Sequence, residues 1–490
     1  MDRQIKRLGL ALLCCFGLLF VQLNYIQFFG AERLTEDDGN VRPQRRDFAR
    51  PRGQILAADG SVLAFSIPER SVFEYQRIYP EGALFGPITG YYSFQLGRTG
   101  VERSYGSQLS GTTPELRFGN LSDLFVDKEK VGKVHLTMRA DVQRIARELL
   151  GERQGSVVAL DPRNGAIDAM WSFPSFDPGP LSTNTQDATD IKTLLDADPE
   201  KPLLMRAYQD IFFPGSTFKV VTASTAVEQG QVTEATPSYP VQTSFDIDFT
   251  DTDLSNFGGS SCGGVLFDIL RRSCNSAFAQ MGVDLGPAAM VAGAEAYGFN
   301  DAPPIDLPNP ATSTFPTEFP DDQGNGPLAR AAIGQGDVSS SPLEMALVTA
   351  GIANGGSIMT PHVMDRVTDE DDETVETYQP AEWRRATSPQ TADATRRGMV
   401  GVASGGTATG LLIDGMEVGG KTGTAQLGTD PPQSHAWILG FAGPPGQPPE
   451  VAVAVLVQAQ PGASEQTGGT VAAPIAKAVM EAVLAARGTR

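Results

Sequence analysis

The chain opens on an unbroken apolar run. Leu8–Val21 carries no charge, and a more mixed stretch continues through Gln22, Asn24 and Gln27 to Phe29. A membrane-spanning helix needs about 20 residues, which residues 8–29 supply with their polar end at the interface. From 30 to 133 the pattern is short apolar stretches broken by Gly, Arg and polar turns. Gly53-Gln54-Ile55-Leu56 and Ser61-Val62-Leu63-Ala64, separated by Asp59-Gly60, predict a hairpin in a small, extended, β-rich module. The texture changes near Val134. Leu136–Leu150 carries Val142, Ile145, Ala146 and Leu149 at helical spacing. Two apolar runs, Ser156–Leu160 and Ala166–Trp171, flank Asn164-Gly165, a strong two-residue hairpin signal. Near the end, His435–Ala442 and Val451–Val457 read as strands and Thr470–Ala486 as an amphipathic helix. Strands thus open and close the part from 134 to 490, with helices between. This predicts an α+β fold whose antiparallel sheet joins the two ends of that part. No internal repeat is present, and Asp369–Glu373 reads as a solvated loop tip.

Charge and cysteine usage narrow the picture. The 490 residues, 41% hydrophobic and 20% charged, are enough for two or three domains. A net charge of −20 argues against a broad nucleic-acid-binding face. His135, His362 and His435 are far apart, and Cys262 and Cys274 form no Cys-x-x-Cys pattern. No metal site is expected. Arg3, Lys6 and Arg7 precede the apolar run, whereas Glu32, Glu36, Asp37 and Asp38 follow it. That asymmetry puts residues 1–7 in the cytoplasm and the body outside. A cleaved signal peptide is the alternative, but Tyr25-Ile26-Gln27-Phe28-Phe29 lacks the small residues of a cleavage site and suits an interfacial belt.

Three short motifs carry candidate chemistry. In Pro214-Gly215-Ser216-Thr217-Phe218-Lys219, Ser216 opens a helical stretch, and Lys219, one turn on, shares its face. A serine hydroxyl needs a base to become a nucleophile, and a lysine serves only when neutral. A chain of this length holds about one Ser-x-x-Lys by chance, so that pair alone says little. Ser273-Cys274-Asn275 is weaker still, since Ser182-Thr183-Asn184 has the same form. The third, Gly419-Gly420-Lys421-Thr422-Gly423-Thr424-Ala425, is specific. Its glycines leave room for another backbone to lie beside a strand, and Lys421, Thr422 and Thr424 suit a carboxylate. Residues 415–422 also satisfy the phosphate-loop pattern, which needs a helix starting at Lys421. Gly423, Gly428, Pro431 and Pro432 exclude that helix. Gly259-Ser260-Ser261-Cys262-Gly263 matches the nucleophile elbow, but the polar Asp251–Phe257 before it is no elbow strand.

In this order the three motifs resemble the penicillin-binding and serine β-lactamase superfamily. Arg52-Gly53-Gln54-Ile55 and Gly100-Val101-Glu102-Arg103-Ser104-Tyr105 are similar to the N-terminal motifs of class B penicillin-binding proteins, as are Val157–Gly165 and Ile333-Gly334-Gln335-Gly336 further on. The length and short N-terminal module look most like the actinobacterial penicillin-binding protein A type. The resemblance implies a five-stranded antiparallel sheet with flanking helices and an all-helical lobe over 134–490. Before it would stand a pedestal, or dimerisation-like domain, over 30–133. It implies catalytic roles for Ser216, Lys219, Ser273 and Asn275, with Lys421, Thr422, Gly423 and Thr424 binding substrate. It also implies a Cys262–Cys274 disulfide pinning the second motif, no cofactor, and a RodA/FtsW-type glycosyltransferase as partner. The expected reaction is D,D-transpeptidation of peptidoglycan stem peptides, blocked by β-lactams. The alternatives are a D,D-carboxypeptidase, a β-lactamase, for which no deacylating base is evident, and a β-lactam sensor or scaffold.

Overall fold

The computed structural model describes residues 2–25, 45, 47–71, 73–117, 130–250, 253–429, 432–460 and 466–489. The expected anchor end at 26–29 and the acidic residues 32–38 lie outside them. The chain divides into two compact units, Met1–Pro51 with Ile67–Gln76 and Arg52–Ser66 with Arg77–Arg490. The first contains the helix Asp2–Tyr25, whose apolar side chains from Leu8 to Leu23 are all exposed. At 1.5 Å per residue its 24 residues extend about 36 Å, enough to cross the hydrocarbon of a bilayer. A helix of this length with lipid-compatible side chains on every face fits a membrane anchor. Gly468–Ala486 is also long and apolar, but 44% of its most apolar window is buried inside the protein.

Five antiparallel strands form the main sheet, in the order 417–426, 434–443, 451–457, 155–160, 167–173. The C-terminal strand pairs with the first one, Ala454 opposite Val158, which closes the two ends together as expected. A hairpin containing Asn164-Gly165 forms, but its loop spans residues 162–165 rather than two residues, closed by Asp161 N donating to Ala166 O at 2.9 Å, with Gly165 at φ +84°. Strands 155–160 and 451–457 are buried at every position, so both faces of the sheet are covered. Helices Ala140–Leu150 and Ala473–Ala486 pack together there, and Pro342–Ala353, buried along its whole length, also packs on the sheet. The predicted helix over 136–150 begins only at Ala140, because Val134 and Leu136 are core residues of a strand, Lys133–Leu136.

That strand belongs to a six-stranded sheet ordered 374–377, 364–368, 133–136, 55–56, 62–68, 75–78. The Asp59-Gly60 hairpin is present, with Gly60 at φ +84° and residues 55–56 antiparallel to 62–64. Val134 is opposite both Ile55 and Val367, so the sheet takes strands from both sides of residue 133. Short helices at 86–89, 100–104, 106–109 and 114–117 follow the early strands. The two N-terminal motifs meet in a buried ion cluster. Glu102 accepts from Arg52 Nε at 2.5 Å and from Arg77 Nε at 2.7 Å. Burial opposes its charge, but the two guanidiniums hold its carboxyl below the usual range.

Candidate active site

Ser216 lies in a single 3-10 turn, Gly215–Thr217, that runs into the helix Lys219–Glu228. Gly215 has φ +54°, where a side chain would be strained, and a Cβ there would come 3.0 Å from the Thr424 carbonyl oxygen. Its N–H donates to Gly334 O at 2.9 Å. Gly334 in turn approaches so closely that a Cβ would meet Gly215 O at 2.2 Å. Ile333-Gly334-Gln335-Gly336 is therefore a bracket behind the serine turn. The Ser216 hydroxyl is half-buried in a cleft wall and forms no hydrogen bond among the described residues.

Lys219 is fully buried and its Nζ meets neutral acceptors rather than a carboxylate among the described residues. Its Nζ donates to Asn275 Oδ1 at 2.6 Å and Ser273 O at 2.8 Å, and lies 3.4 Å from Ser273 Oγ. Burial pushes its pKa well below the usual lysine range, and the charge of Lys421 pushes it further. A neutral amine has two protons and one lone pair. The two short bonds engage both protons, which leaves the lone pair to accept one. Lys421, also fully buried, donates to Ser273 Oγ at 2.7 Å and Thr422 O at 2.8 Å. Burial lowers its pKa to about 7, whereas Lys219 is pushed down both by burial and by the neighbouring Lys421 charge.

The second motif is a tight corner between two helices. Ser273 ends Leu266–Arg272 in the left-handed region at φ +57°, a conformation costing a non-glycine residue roughly 1–2 kcal/mol. Cys274 then caps Asn275–Ala296. The corner turns the Ser273 hydroxyl, the Ser273 carbonyl and the Asn275 amide toward the two lysines. Cys274 and Cys262 are bonded as a disulfide, with Cα atoms 5.6 Å apart. Asn275 Nδ2 donates to Ser255 O at 2.9 Å, and Ser276 N to Asn256 Oδ1 at 2.9 Å. Residues 254–262 are thus tied to the motif and form one wall of the cleft. Ser261, the serine of the elbow pattern, is exposed in this wall, not on a strand-to-helix turn.

The third motif lies in the strand Glu417–Gln426, at the sheet edge. Lys421 is extended, which removes the phosphate-loop reading. The motif's glycines do something other than make room for an added strand. A Cβ on Gly419 would enter the Phe441 ring, on Gly420 would come 2.3 Å from Leu411, and on Gly423 would lie 2.8 Å from Thr217. They let the strand pack tightly against its own protein, including the serine turn. A cleft of about 720 Å³ remains along this edge, lined by Ser216, Asn275, Thr422 and Thr424 among others. Asn256 and Thr407, also in its wall, carried no pattern that sequence reasoning could single out. Among the described residues no group of His, Cys, Asp or Glu side chains is arranged to hold a metal.

The family described as the penicillin binding protein transpeptidase domain matches residues 155–481, which include every candidate site residue. The chain belongs to the penicillin-binding protein transpeptidases. The penicillin binding protein A dimerisation domain matches residues 52–134. The chain is similar to the peptidoglycan D,D-transpeptidase PbpA of Mycolicibacterium smegmatis, 37% identical over 99% of each chain. It is 35% identical to PbpA of Mycobacterium tuberculosis, again over 99% of each. The structure of penicillin-binding protein A from M. tuberculosis as a ceftriaxone acyl-enzyme complex superposes with a TM-score of 0.81 at 34% identity, covering 90% of this chain and 100% of that one. The penicillin G acyl-enzyme complex of the same protein gives 0.79 at 36% identity, covering 89% and 100%.

Proposed function

We propose that this penicillin-binding protein is a membrane-anchored peptidoglycan D,D-transpeptidase with Ser216 as nucleophile. The observation that carries the reading is the buried pair of lysines joined through Ser273. Lys219, kept neutral, takes the Ser216 proton as the hydroxyl attacks the D-Ala-D-Ala bond of a stem peptide. The N–H groups of Ser216 and Thr424 receive the developing oxyanion. Ser273, bonded to Lys421, passes a proton to the leaving D-Ala amine, while Asn275 holds the peptide backbone. Lys421, Thr422 and Thr424 hold the terminal carboxylate, and Gly423 keeps their strand close to the serine turn. An amine of a neighbouring stem then takes the acyl group. β-Lactams acylate the same serine.

The charge asymmetry about the N-terminal helix supports a cytoplasmic N-terminus over 1–7 and a catalytic part outside. A pedestal over 30–133 would then lift the catalytic part, 134–490, toward the wall and meet a RodA/FtsW-type glycosyltransferase, a pairing supported by family analogy. Labelled penicillin and intact mass of the ectodomain test the chemistry. Wild type should gain one penicillin and Ser216→Ala none; equal labelling of both would refute the nucleophile. Adding a stem-peptide donor with an amine acceptor then separates transfer from hydrolysis.

A further inference from the structure

The charged side chains that line the cleft are Asp253, Arg272 and Arg330. Asp253 accepts from Ser244 Oγ at 2.8 Å, and Arg272 donates to the backbone carbonyl of Ser261. Arg330 is half-buried, yet among the described residues its guanidinium makes no hydrogen bond and no ion pair. Acidic residues outnumber basic ones in this chain, 58 to 38, so a partner is not scarce, and a guanidinium drawn out of water normally takes one. The Gln335 side chain is half-buried in the same wall and is also without a hydrogen bond among the described residues. Both are held in place by their backbones. The N–H groups of Ile333 and Gln335 donate to Arg330 O at 3.2 and 3.0 Å, and Ala329 is buried against Phe245 and Ile247. A guanidinium and an amide open side by side offer the N–H donors that a carboxylate takes.

Their place along the cleft says which carboxylate. The edge strand runs from Lys421 and Thr422 past Thr424, which packs on Gly215, to Gln426. Gly334 packs on Gly215 as well, so the bracket carrying Arg330 and Gln335 stands beside the serine turn rather than at the Lys421 end. A donor with its terminal carboxylate at Lys421 and its scissile bond at Ser216 extends its acyl side past Thr424, toward Gln426, Gln335 and Arg330. We infer that Arg330 and Gln335 form a second carboxylate subsite, which reads an acidic group on the donor residue that precedes the D-Ala-D-Ala unit. Both side chains touch the substrate there and determine which donor is preferred, not the chemistry at Ser216.

This inference rests on the proposed placing of the donor, with Ser216 as the acylated serine, and its test keeps the two apart. The acylamino side chain of a penicillin takes the place of the donor residue in question. Two penicillins are compared on the full chain in detergent. One has a phenylacetyl side chain, and the other differs only in a carboxylate on the carbon between ring and amide. The readout is the second-order rate of Ser216 acylation. Arg330→Gln should lower the rate for the carboxylated penicillin relative to the neutral one roughly tenfold, and leave the neutral one within about twofold of wild type. Arg330→Lys, which keeps the charge and loses the fork, should recover part of the preference. Gln335→Ala should shift it the same way by less. Added salt should erode the wild-type preference and leave that of Arg330→Gln unchanged. An equal loss on both penicillins, or an unchanged preference, would overturn the inference. If Arg330→Gln does not fold, a wild-type preference that ignores salt would overturn it instead. Labelling of wild type but not Ser216→Ala by the neutral penicillin keeps the functional reading whatever Arg330 does; equal labelling of both ends that reading first.

Discussion

At the scale of single residues, the buried lysines have a counterpart far from the chemistry. Glu344 lies in the first turn of the buried helix Pro342–Ala353, with both carboxyl oxygens lacking a hydrogen-bond partner among the described residues. Burial raises its pKa to about 8 from an ordinary 4.5. Between those values the folded chain holds a proton that the unfolded chain has released, so stability falls as pH rises through the window. The slope is at most about 1.4 kcal/mol per pH unit. Glu344→Gln keeps the shape and removes the titration. Its melting temperature should exceed that of wild type by a margin that widens from pH 5 to pH 8, read by calorimetry; parallel curves would count against a neutral Glu344. None of this was legible in the sequence, where Glu344 reads as an ordinary helix-opening acid after Ser341. Ser216 and Lys219 were legible because their relation is local, three positions apart where the serine turn runs into its helix. Thr407 was not, because its hydrogen-bond partner Thr422 is on a strand that comes 15 residues later.

At the scale of elements, the wall 254–262 shows how a covalent bond and hydrogen bonds divide one task. The disulfide closes a loop of 12 residues, for which chain entropy predicts a contribution of about 3 kcal/mol. The bonds from Asn275 and Ser276 to residues 255 and 256 then set where the wall lies. Cys262→Ser with Cys274→Ser should therefore lower the melting temperature and slow penicillin acylation several-fold, because Ser273 and Asn275 lose their brace. A stopped-flow acylation rate equal to that of wild type would show that the corner holds without it. The strands within 155–173 and 434–457 were readable as short apolar runs and from the Asn164-Gly165 turn signal. The strand 133–136 was not, since the four residues Lys133-Val134-His135-Leu136 are too few to stand apart from the helical pattern behind them. Its identity comes from Val367 and Ile55, partners no local pattern names.

At the scale of the molecule, that same strand makes the N-terminal module and the catalytic part share a sheet. Tyr105 also donates to Asp306 at 2.5 Å, and Asp306 accepts from the backbone of Val363 and Met364. A fragment of residues 155–481 loses strands 55–56 and 133–136 and leaves the edge at 364–368 bare. It should express as aggregate or unfold well below the melting temperature of a fragment starting at residue 45, as thermal denaturation would report. An equally stable short fragment would make the shared sheet incidental. The serine turn is different in kind, because it rests on backbone against backbone. Gly215 touches Thr424, Gly334 touches Gly215, and a Cβ on Gly468 would fall 1.7 Å from Trp437 O. Under antibiotic selection these contacts leave no neutral drift at the floor of the site. Escape has to be found in the hydroxyl rim and the tethered wall, where a changed side chain alters what enters without disturbing Ser216.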